Sequence, residues 1–189
     1  DKYYGRELAP SALLRALVGF LDDGVAVRTE CIPRILARLR ELARVVADLD
    51  DFRFYASSLL LLYDGDGRDA DLGSSFETEA EPPSHAPHPA NGQCDVRIID
   101  FANCVTEARA YRAAPRRAVP YPPTTDGPDQ GYLLGLRNLM RGFDLIARQF
   151  GNGRVPRSTF GDHLAALDAA VAEGLFEDSV AGGGMPVPW

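Results

Sequence analysis

Two apolar, aromatic runs separated by a long acidic connector constrain the fold of this 189-residue chain more than any other feature. Residues 52–63 and 94–102 are short and lack a 3.6-residue period, which is typical of largely buried β-strands. The connector, residues 64–93, is rich in Gly, Pro and Ser and strongly acidic, so we expect a disordered insert. The two strands are therefore predicted to pair as an antiparallel hairpin with the insert at its tip.

Segments with helical periodicity precede and follow this hairpin in the sequence. Apolar residues recur at helical spacing over 11–22, 32–49, 131–150 and near 159–175. Ser11, which follows Pro10, is the predicted N-cap of the first helix. The Pro- and Arg-rich stretch 107–130 is predicted to be a loop. These patterns indicate an α+β fold in which antiparallel strands pack with helices.

Composition narrows the possible partners. The net charge of −7 comes mostly from the insert and the C-terminal tail, while the rest of the chain is neutral to basic. This distribution argues against a nucleic-acid partner, which usually requires a basic face. No run approaches the roughly 18 apolar residues of a membrane-spanning helix, so we expect no membrane partner. Cys31, Cys94 and Cys104 are scattered, which favours reduced thiols over a disulfide framework or a zinc site.

Asp100 is the best candidate for a functional residue. It closes the apolar strand VRIID and precedes Phe101. A carboxylate at a buried strand end needs a partner, and Mg²⁺ suits it because this ion prefers oxygen ligands and substrate phosphates. Protein kinases place the aspartate of their D-F-G motif in this way. An aspartate that only caps a turn is the alternative.

Four sequence blocks, in order, resemble the inositol polyphosphate kinases. They are DKYYGR at 1–6, FRFYASSLLLLYDG at 52–65, VRIIDFANCVT at 96–106 and PDQGYLLGLRNL at 128–139. Within that family they look most like the inositol hexakisphosphate kinases, and the segment IDFANCVT resembles the fungal members. The resemblance covers residues 1–150 as the C-terminal part of the kinase domain, and 151–189 is predicted to be a helical tail of unknown role.

The resemblance implies the C-terminal lobe of a two-lobed, protein-kinase-like α+β fold that uses ATP and Mg²⁺. Its members transfer the γ-phosphoryl of ATP to an inositol polyphosphate, and hexakisphosphate kinases make a diphosphoinositol. By this resemblance Asp100 holds Mg²⁺ against the ATP phosphates. Ser57 and Ser58 support the metal site or serve in packing. Asn103, where animal members usually have His, lies near the inositol phosphate, and Arg6 is a phosphate contact.

The family motif PxxxDxKxG, with its catalytic Asp and Lys, would precede DKYYGR, and Lys2 is the only lysine of this chain. We therefore expect a fragment that lacks the N-terminal lobe of its kinase, is inactive alone and acts in the cytoplasm, the nucleus or both.

Three alternatives stay open. One is a multikinase-type activity on less phosphorylated inositols. Another is a non-catalytic scaffold or inositol-phosphate-binding module, with Arg109, Arg112, Arg116 and Arg117 as the anion contacts. The third is a chain that does not fold alone, because its strands would leave an open edge and an uncovered face.

Overall fold

The computed structural model describes residues 8–63, 94–113, 126–151 and 153–176. Within these ranges the chain forms five α-helices and two antiparallel two-stranded sheets, which confirms the α+β class. In chain order the elements are α1 (Pro10–Leu21), β1 (Ala26–Arg28), α2 (Ile32–Ala47), β2 (Ser58–Tyr63), β3 (Cys94–Ile99), α3 (Ala108–Ala113), α4 (Gln130–Phe150), β4 (Arg154–Pro156) and α5 (Phe160–Ala172). The predicted disordered insert, 64–93, lies outside the described residues.

The four predicted helices are confirmed, with ends that move by up to three residues. The N-cap prediction is wrong, because α1 begins at Pro10 and its N-cap is Ala9 rather than Ser11. Pro10 fits this position, since the first turn of a helix does not use its N–H. None of the helices in the described ranges is long and apolar enough to cross a bilayer.

The prediction of a loop over 107–130 is wrong at its start, where α3 forms. Asp51, far away in the sequence, binds the first turn of this helix. Its carbonyl oxygen accepts a hydrogen bond from the Ala108 N–H at 3.0 Å, and its carboxylate accepts one from the Arg109 N–H at 3.0 Å. The segment 107–113, EARAYRA, is rich in strong helix formers, and the loop prediction gave this local signal too little weight. The cap from Asp51 comes from outside the segment and could not be predicted from it.

The core lies between α2 and α4, with α1 and α5 packed around them. A set of fully buried side chains fills it: Leu14, Leu21, Ile35, Leu39, Phe143, Ile146 and Leu167. Gly142 allows α1 to approach α4 closely, since a Cβ there would lie 3.0 Å from Leu14 Cδ2. Residues beyond 150 join the same core, because Leu167 of α5 is completely buried in it.

The β2–β3 hairpin is confirmed, but the expectation that its strands are largely buried is wrong. Leu59, Leu61 and Ile98 pack against the core, whereas their neighbours Leu60 and Ile99 are 38% and 37% exposed. Side chains alternate between the two faces of a strand, and only one face of this hairpin is covered by helices. The uncovered face that one of our alternatives anticipated is therefore present among the described residues.

The second sheet, β1–β4, was missed because each strand has three residues. Val27 pairs with Val155 at its centre. The hydroxyl of Thr29 donates to the Gly153 carbonyl at 2.6 Å and accepts from the Gly153 N–H at 2.9 Å. This sheet ties the segment after α4 to the segment between α1 and α2.

Candidate functional site

The residues singled out in the sequence converge on one end of the β2–β3 hairpin. In the antiparallel register Ser58, the first residue of β2, pairs with Ile99, the last residue of β3. Ser57 and Asp100 therefore flank the same end of the sheet, and Asn103 follows in a short 3-10 turn, Phe101–Asn103. The hairpin brings the SSLL and IDFA blocks together although 41 positions separate Ser58 from Ile99.

Asp100 lies in an unusual backbone conformation. Its φ of 64° and ψ of 62° are left-handed, and Ala56, just before the serines, has a φ of 52°. These two are the non-glycine residues with positive φ in the described part of the chain. Aspartate tolerates this region better than most residues, whereas alanine does not. Such outliers concentrate at functional sites, which supports a site at this end of the hairpin.

The Asp100 carboxylate is exposed, which corrects part of the reasoning from sequence. We expected a partner because the strand end would be buried, but the flanking residues Ile99 and Phe101 are 37% and 55% exposed. The side chain also does not cap the 3-10 turn that follows it. An exposed carboxylate needs no metal to offset burial. The case for Asp100 as a metal ligand therefore depends on its position at the strand end and on its exposure.

The two serines have different surroundings. The Ser57 hydroxyl donates to the Phe54 carbonyl at 2.9 Å, so it stabilises the turn that leads into β2. Ser58 is exposed and, by the alternation of the strand, lies on the same open face as Leu60 and Ile99. The geometry supports a packing role for Ser57 and leaves Ser58 available to a ligand.

Asn103 is exposed at the end of the 3-10 turn, on the same stretch of chain as Asp100. The Cys104 N–H donates to the Phe101 carbonyl at 3.0 Å and closes this turn. Arg6, the predicted phosphate contact, lies outside the described residues. The turn thus presents one carboxylate and one amide side chain to solvent.

Arg53, a buried arginine that the sequence analysis did not single out, joins two segments that flank the site. Arg53 is 5% exposed, and its guanidinium donates to the Phe52 carbonyl at 2.6 Å and to the Gly127 carbonyl at 2.9 Å. Its backbone exchanges hydrogen bonds of 2.8 and 2.9 Å with Val105. Arg53 therefore joins the segment before the serines to the segment after Asn103.

Asp129 connects the same region to α4. Its carboxylate caps the helix by accepting from the Tyr132 N–H at 3.0 Å, and it also accepts from the Phe54 N–H at 2.9 Å. An aspartate before a helical pattern is an ordinary N-cap signal, so the first contact was open to prediction. The second contact joins positions 75 apart and was not.

The arginine cluster proposed as an anion contact is only partly described. Arg112 forms an ion pair with Asp126, and Arg109 lies 3.6 Å from the same carboxylate. The hydrogen bond from Arg112 lowers the pKa of Asp126, so the carboxylate stays charged and offsets these guanidinium groups. Arg116 and Arg117 lie outside the described residues.

Asp100 thus lies at the end of the hairpin, beside an open face that carries Leu60 and Ile99 together with the Arg97–Asp95 ion pair. Comparison with known proteins identifies the family. The inositol polyphosphate kinase family model matches residues 1–144, about three-quarters of the chain, and the chain belongs to this family.

Individual relatives give the same result. The chain is 38% identical to human inositol hexakisphosphate kinase 3 over 143 residues, which is 75% of this chain and 33% of the relative. It is 34% identical to mouse inositol hexakisphosphate kinase 1 over 161 residues, covering 74% of this chain and 34% of the relative. An uncharacterised inositol polyphosphate kinase of Schizosaccharomyces pombe is 31% identical over 172 residues, 87% of this chain and 16% of the relative.

The chain therefore spans about one-third of the length of the inositol hexakisphosphate kinases that it matches. No solved structure matches it.

Proposed function

We propose that this chain is the metal-binding part of an ATP-dependent inositol phosphate kinase that phosphorylates inositol hexakisphosphate to a diphosphoinositol. The observation that carries the proposal is the position of Asp100, an exposed carboxylate at the end of β3 within the family-matched residues. The names of the relatives, which include several inositol hexakisphosphate kinases, support this choice of substrate.

Asp100 fits the role of a magnesium ligand. Mg²⁺ is usually held by one or two protein carboxylates together with substrate phosphates and water, so it does not need a cage of protein ligands. Among the described residues no group of three or more His, Cys, Asp or Glu side chains is placed to hold a metal, so the proposal depends on Asp100 together with the phosphates of ATP. When bound, the ion would offset the negative charge of the phosphoryl group in transfer.

The open face of the hairpin fits the base of ATP. Leu60 and Ile99 present apolar surface on the same side of the sheet as Ser58, next to Asp100. A purine ring is flat and largely apolar, so these side chains would take it while Asp100 binds the metal near the phosphates.

The groups that activate the phosphoryl acceptor are proposed to come from an N-terminal lobe of the same kinase. Phosphoryl transfer depends on positioning and on several cationic groups around the phosphates, and Asp100 supplies only one element of this arrangement. We therefore expect the 189-residue chain alone to show no turnover.

The test uses a chimera in which residues 1–150 replace the matching third of human inositol hexakisphosphate kinase 3. Asp100→Asn keeps the side-chain size and tolerates the left-handed backbone, so it removes the charge without disturbing the turn. We expect kcat to fall at least about 100-fold, because a metal ion contributes several kcal/mol to stabilising the transition state. Asp48→Asn, an exposed change at the end of α2, is the control and should keep the parent rate.

Each result of this assay has a different meaning. A full rate in Asp100→Asn contradicts the role of Asp100. Turnover of less phosphorylated inositols but not of inositol hexakisphosphate supports the multikinase-type alternative. Binding of inositol hexakisphosphate by the chimera without turnover supports the non-catalytic module.

A further inference from the structure

Residues 53–58 and 99–105 form a closed ring of backbone at one end of the hairpin, which we call the site ring. The last residue pair of the β2–β3 sheet closes it on one side. An isolated antiparallel bridge between Arg53 and Val105 closes it on the other. Asp100 therefore lies on a stretch of chain that is fixed at both ends.

Each of the two paths around the site ring contains one residue with a left-handed backbone. Ala56, on the first path, has a φ of 52°, and Asp100, on the second, has a φ of 64°. Residues other than glycine keep such a conformation only where the surrounding structure fixes it. The contacts that fix the site ring are therefore part of what determines the conformation of Asp100.

Two side chains tie the first path to the turn before α4. Arg53 is 5% exposed, and its guanidinium donates to the Gly127 carbonyl at 2.9 Å and to the Phe52 carbonyl at 2.6 Å. The next residue, Phe54, donates its N–H to the Asp129 carboxylate at 2.9 Å. Two consecutive residues of the first path are thus held by one turn, and the bridge to Val105 extends this constraint to the second path.

We propose that Arg53 and Asp129 are positioning residues for the metal site, which hold Asp100 in its left-handed conformation and so direct its carboxylate towards Mg²⁺. The inference rests on the proposed function, in which Asp100 is the metal ligand. The direction of a side chain follows from the φ and ψ of its residue, so a change of backbone region at Asp100 would turn its carboxylate away. Residues that orient a metal ligand affect metal affinity without touching the ion.

Arg28 provides a matched control, because a merely structural role predicts the same result for both arginines. It is also 5% exposed, but it belongs to β1 in the other sheet and forms an ion pair with Glu30. Arg28→Met and Arg53→Met each remove a buried guanidinium and keep a long side chain. Both should lower the free energy of unfolding, and only Arg53→Met should change Asp100.

The first test measures the backbone conformation of Asp100 by NMR in the full chain. A positive φ brings the amide hydrogen of a residue close to its own Hα, so Asp100 should give a strong Overhauser effect between these two atoms. Arg53→Met should weaken this signal, whereas Arg28→Met should keep it. Arg53→Lys should restore most of it, since an ammonium group also donates to carbonyl oxygens. A signal of full strength in Arg53→Met overturns the proposal.

Asp129→Ser is a milder variant for the case that Arg53→Met does not fold. Serine is a good N-cap residue, so its hydroxyl can still accept the Tyr132 N–H and keep the start of α4. Its single oxygen is not placed to accept the Phe54 N–H as well, whereas the Asp129 carboxylate binds the two donors with separate oxygens. We expect a weaker Asp100 signal with α4 intact, and an unchanged signal counts against the proposal.

The second test measures how much Mg²⁺ strengthens nucleotide binding by the chimeric kinase. The dissociation constant of the non-hydrolysable β,γ-imido analogue of ATP is determined in Mg²⁺ and in EDTA, and the ratio is the magnesium gain. Arg53→Met should lower this gain roughly 10-fold and leave the constant in EDTA close to the parent value. Arg28→Met should keep the gain. In the Asp100→Asn background Arg53→Met should cause no further loss, because it acts through Asp100.

The results separate this inference from the function on which it rests. If Asp100→Asn keeps the full magnesium gain, the metal role of Asp100 is wrong and the positioning role is wrong with it. If Asp100→Asn lowers the gain and Arg53→Met does not, only the positioning role is wrong. A further loss in the double variant would likewise overturn it, since Arg53 would then act by another route.

Discussion

Apolar side chains are buried in the helical body, formed by α1, α2, α4 and α5, but exposed on the open face of the hairpin. In the body Phe143, Ile146 and Leu167 are completely buried. On the open face Leu62 is 44% exposed, and Phe101, in the turn that follows β3, is 55% exposed, although both are equally apolar. Burial in the body stabilises the fold at roughly 25 cal/mol per Å² of apolar surface, and the open face gains little of this energy.

Together with the ATP site proposed on the open face, this contrast would assign stability and ligand binding to different residues, often neighbours on one strand. An apolar patch that stays exposed in a folded chain marks a surface that another molecule or domain covers. Changes in the body should therefore lower the free energy of unfolding, and changes on the open face should leave it nearly unchanged.

Phe143→Ala should have the largest effect. Phe143 is completely buried, and truncating a buried Phe costs about 3–5 kcal/mol through lost burial and the remaining cavity. The free energy of unfolding is measured by urea denaturation followed by circular dichroism.

Phe101→Ala is the matched control, because it makes the same substitution at a side chain that is 55% exposed. We expect it to cost less than about 1 kcal/mol. Equal losses for the two variants would contradict the division between body and open face.

Ile98→Ala and Ile99→Ala compare two adjacent residues of β3, one facing the core and one on the open face. Ile98 packs against the core, so its truncation should cost about 2 kcal/mol. Truncating Ile99, which lies on the other face, should lower the free energy of unfolding by well under half of that amount. In the chimeric kinase we expect the reverse order for the KM of ATP, which should rise for Ile99→Ala and stay close to the parent value for Ile98→Ala.

The interpretation fails if both variants lose stability equally, because that would mean that the open face is covered by the chain itself. It also fails for ATP if Ile99→Ala has the KM of the parent. Denaturation and kinetics on the same preparations separate these two results.

Gly142→Leu tests how closely the helices of the body pack. A Cβ at Gly142 would lie 3.0 Å from Leu14 Cδ2 and 3.2 Å from Leu17 Cδ1, so a leucine side chain forces α1 away from α4. Overpacking of this kind costs about 1–3 kcal/mol. Gly135→Leu, on the same helix, meets no atom within 4 Å and should be neutral or stabilising, since Leu favours helix more than Gly. Equal effects would show that helix propensity alone decides both.

The sequence was sufficient for the elements that carry their own periodicity. The apolar stripes of α2 and α4 and the paired runs of β2 and β3 are long enough to be recognised without tertiary information. The position of Asp100 at the end of β3 follows from the same pattern. The magnesium role proposed for it came from the chemistry of a carboxylate at a strand end and from the resemblance to the kinase family.

What the sequence did not show depends on contacts between distant residues. The three-residue strands β1 and β4 exist because they pair with each other, and α3 is capped by Asp51 from a distant segment. The exposure of Leu60 and Ile99 could not be read from the sequence either, because an apolar run looks the same whether one face or both are covered. The left-handed backbone of Asp100 is likewise a property of the folded turn.

The smallest predicted effect concerns Asp23, which binds the turn before β1 and an arginine of β4 within the small sheet. Its carboxylate accepts hydrogen bonds from the Ala26 N–H at 2.9 Å and the Val25 N–H at 3.0 Å, and Arg154 donates to it at 2.8 Å. The two backbone hydrogen bonds hold the pKa of Asp23 below its ordinary value of 3.8. Because the folded pKa is lower than the unfolded one, this carboxylate stabilises the fold above about pH 4, and the contribution is lost as the pH falls towards the folded pKa.

Asp23→Asn should therefore be less stable than the parent at pH 6, and the difference should shrink as the pH falls to about 3. The measurement is the urea midpoint of both proteins at the two pH values. Asp48→Asn, which makes the same substitution at an exposed residue at the end of α2, is the matched control. A constant gap between Asp23→Asn and the parent at both pH values would mean that the Asp23 contacts do not depend on its charge. The small sheet would then be held by the Thr29–Gly153 hydrogen bonds and by the burial of Val27, as the body is held by its core.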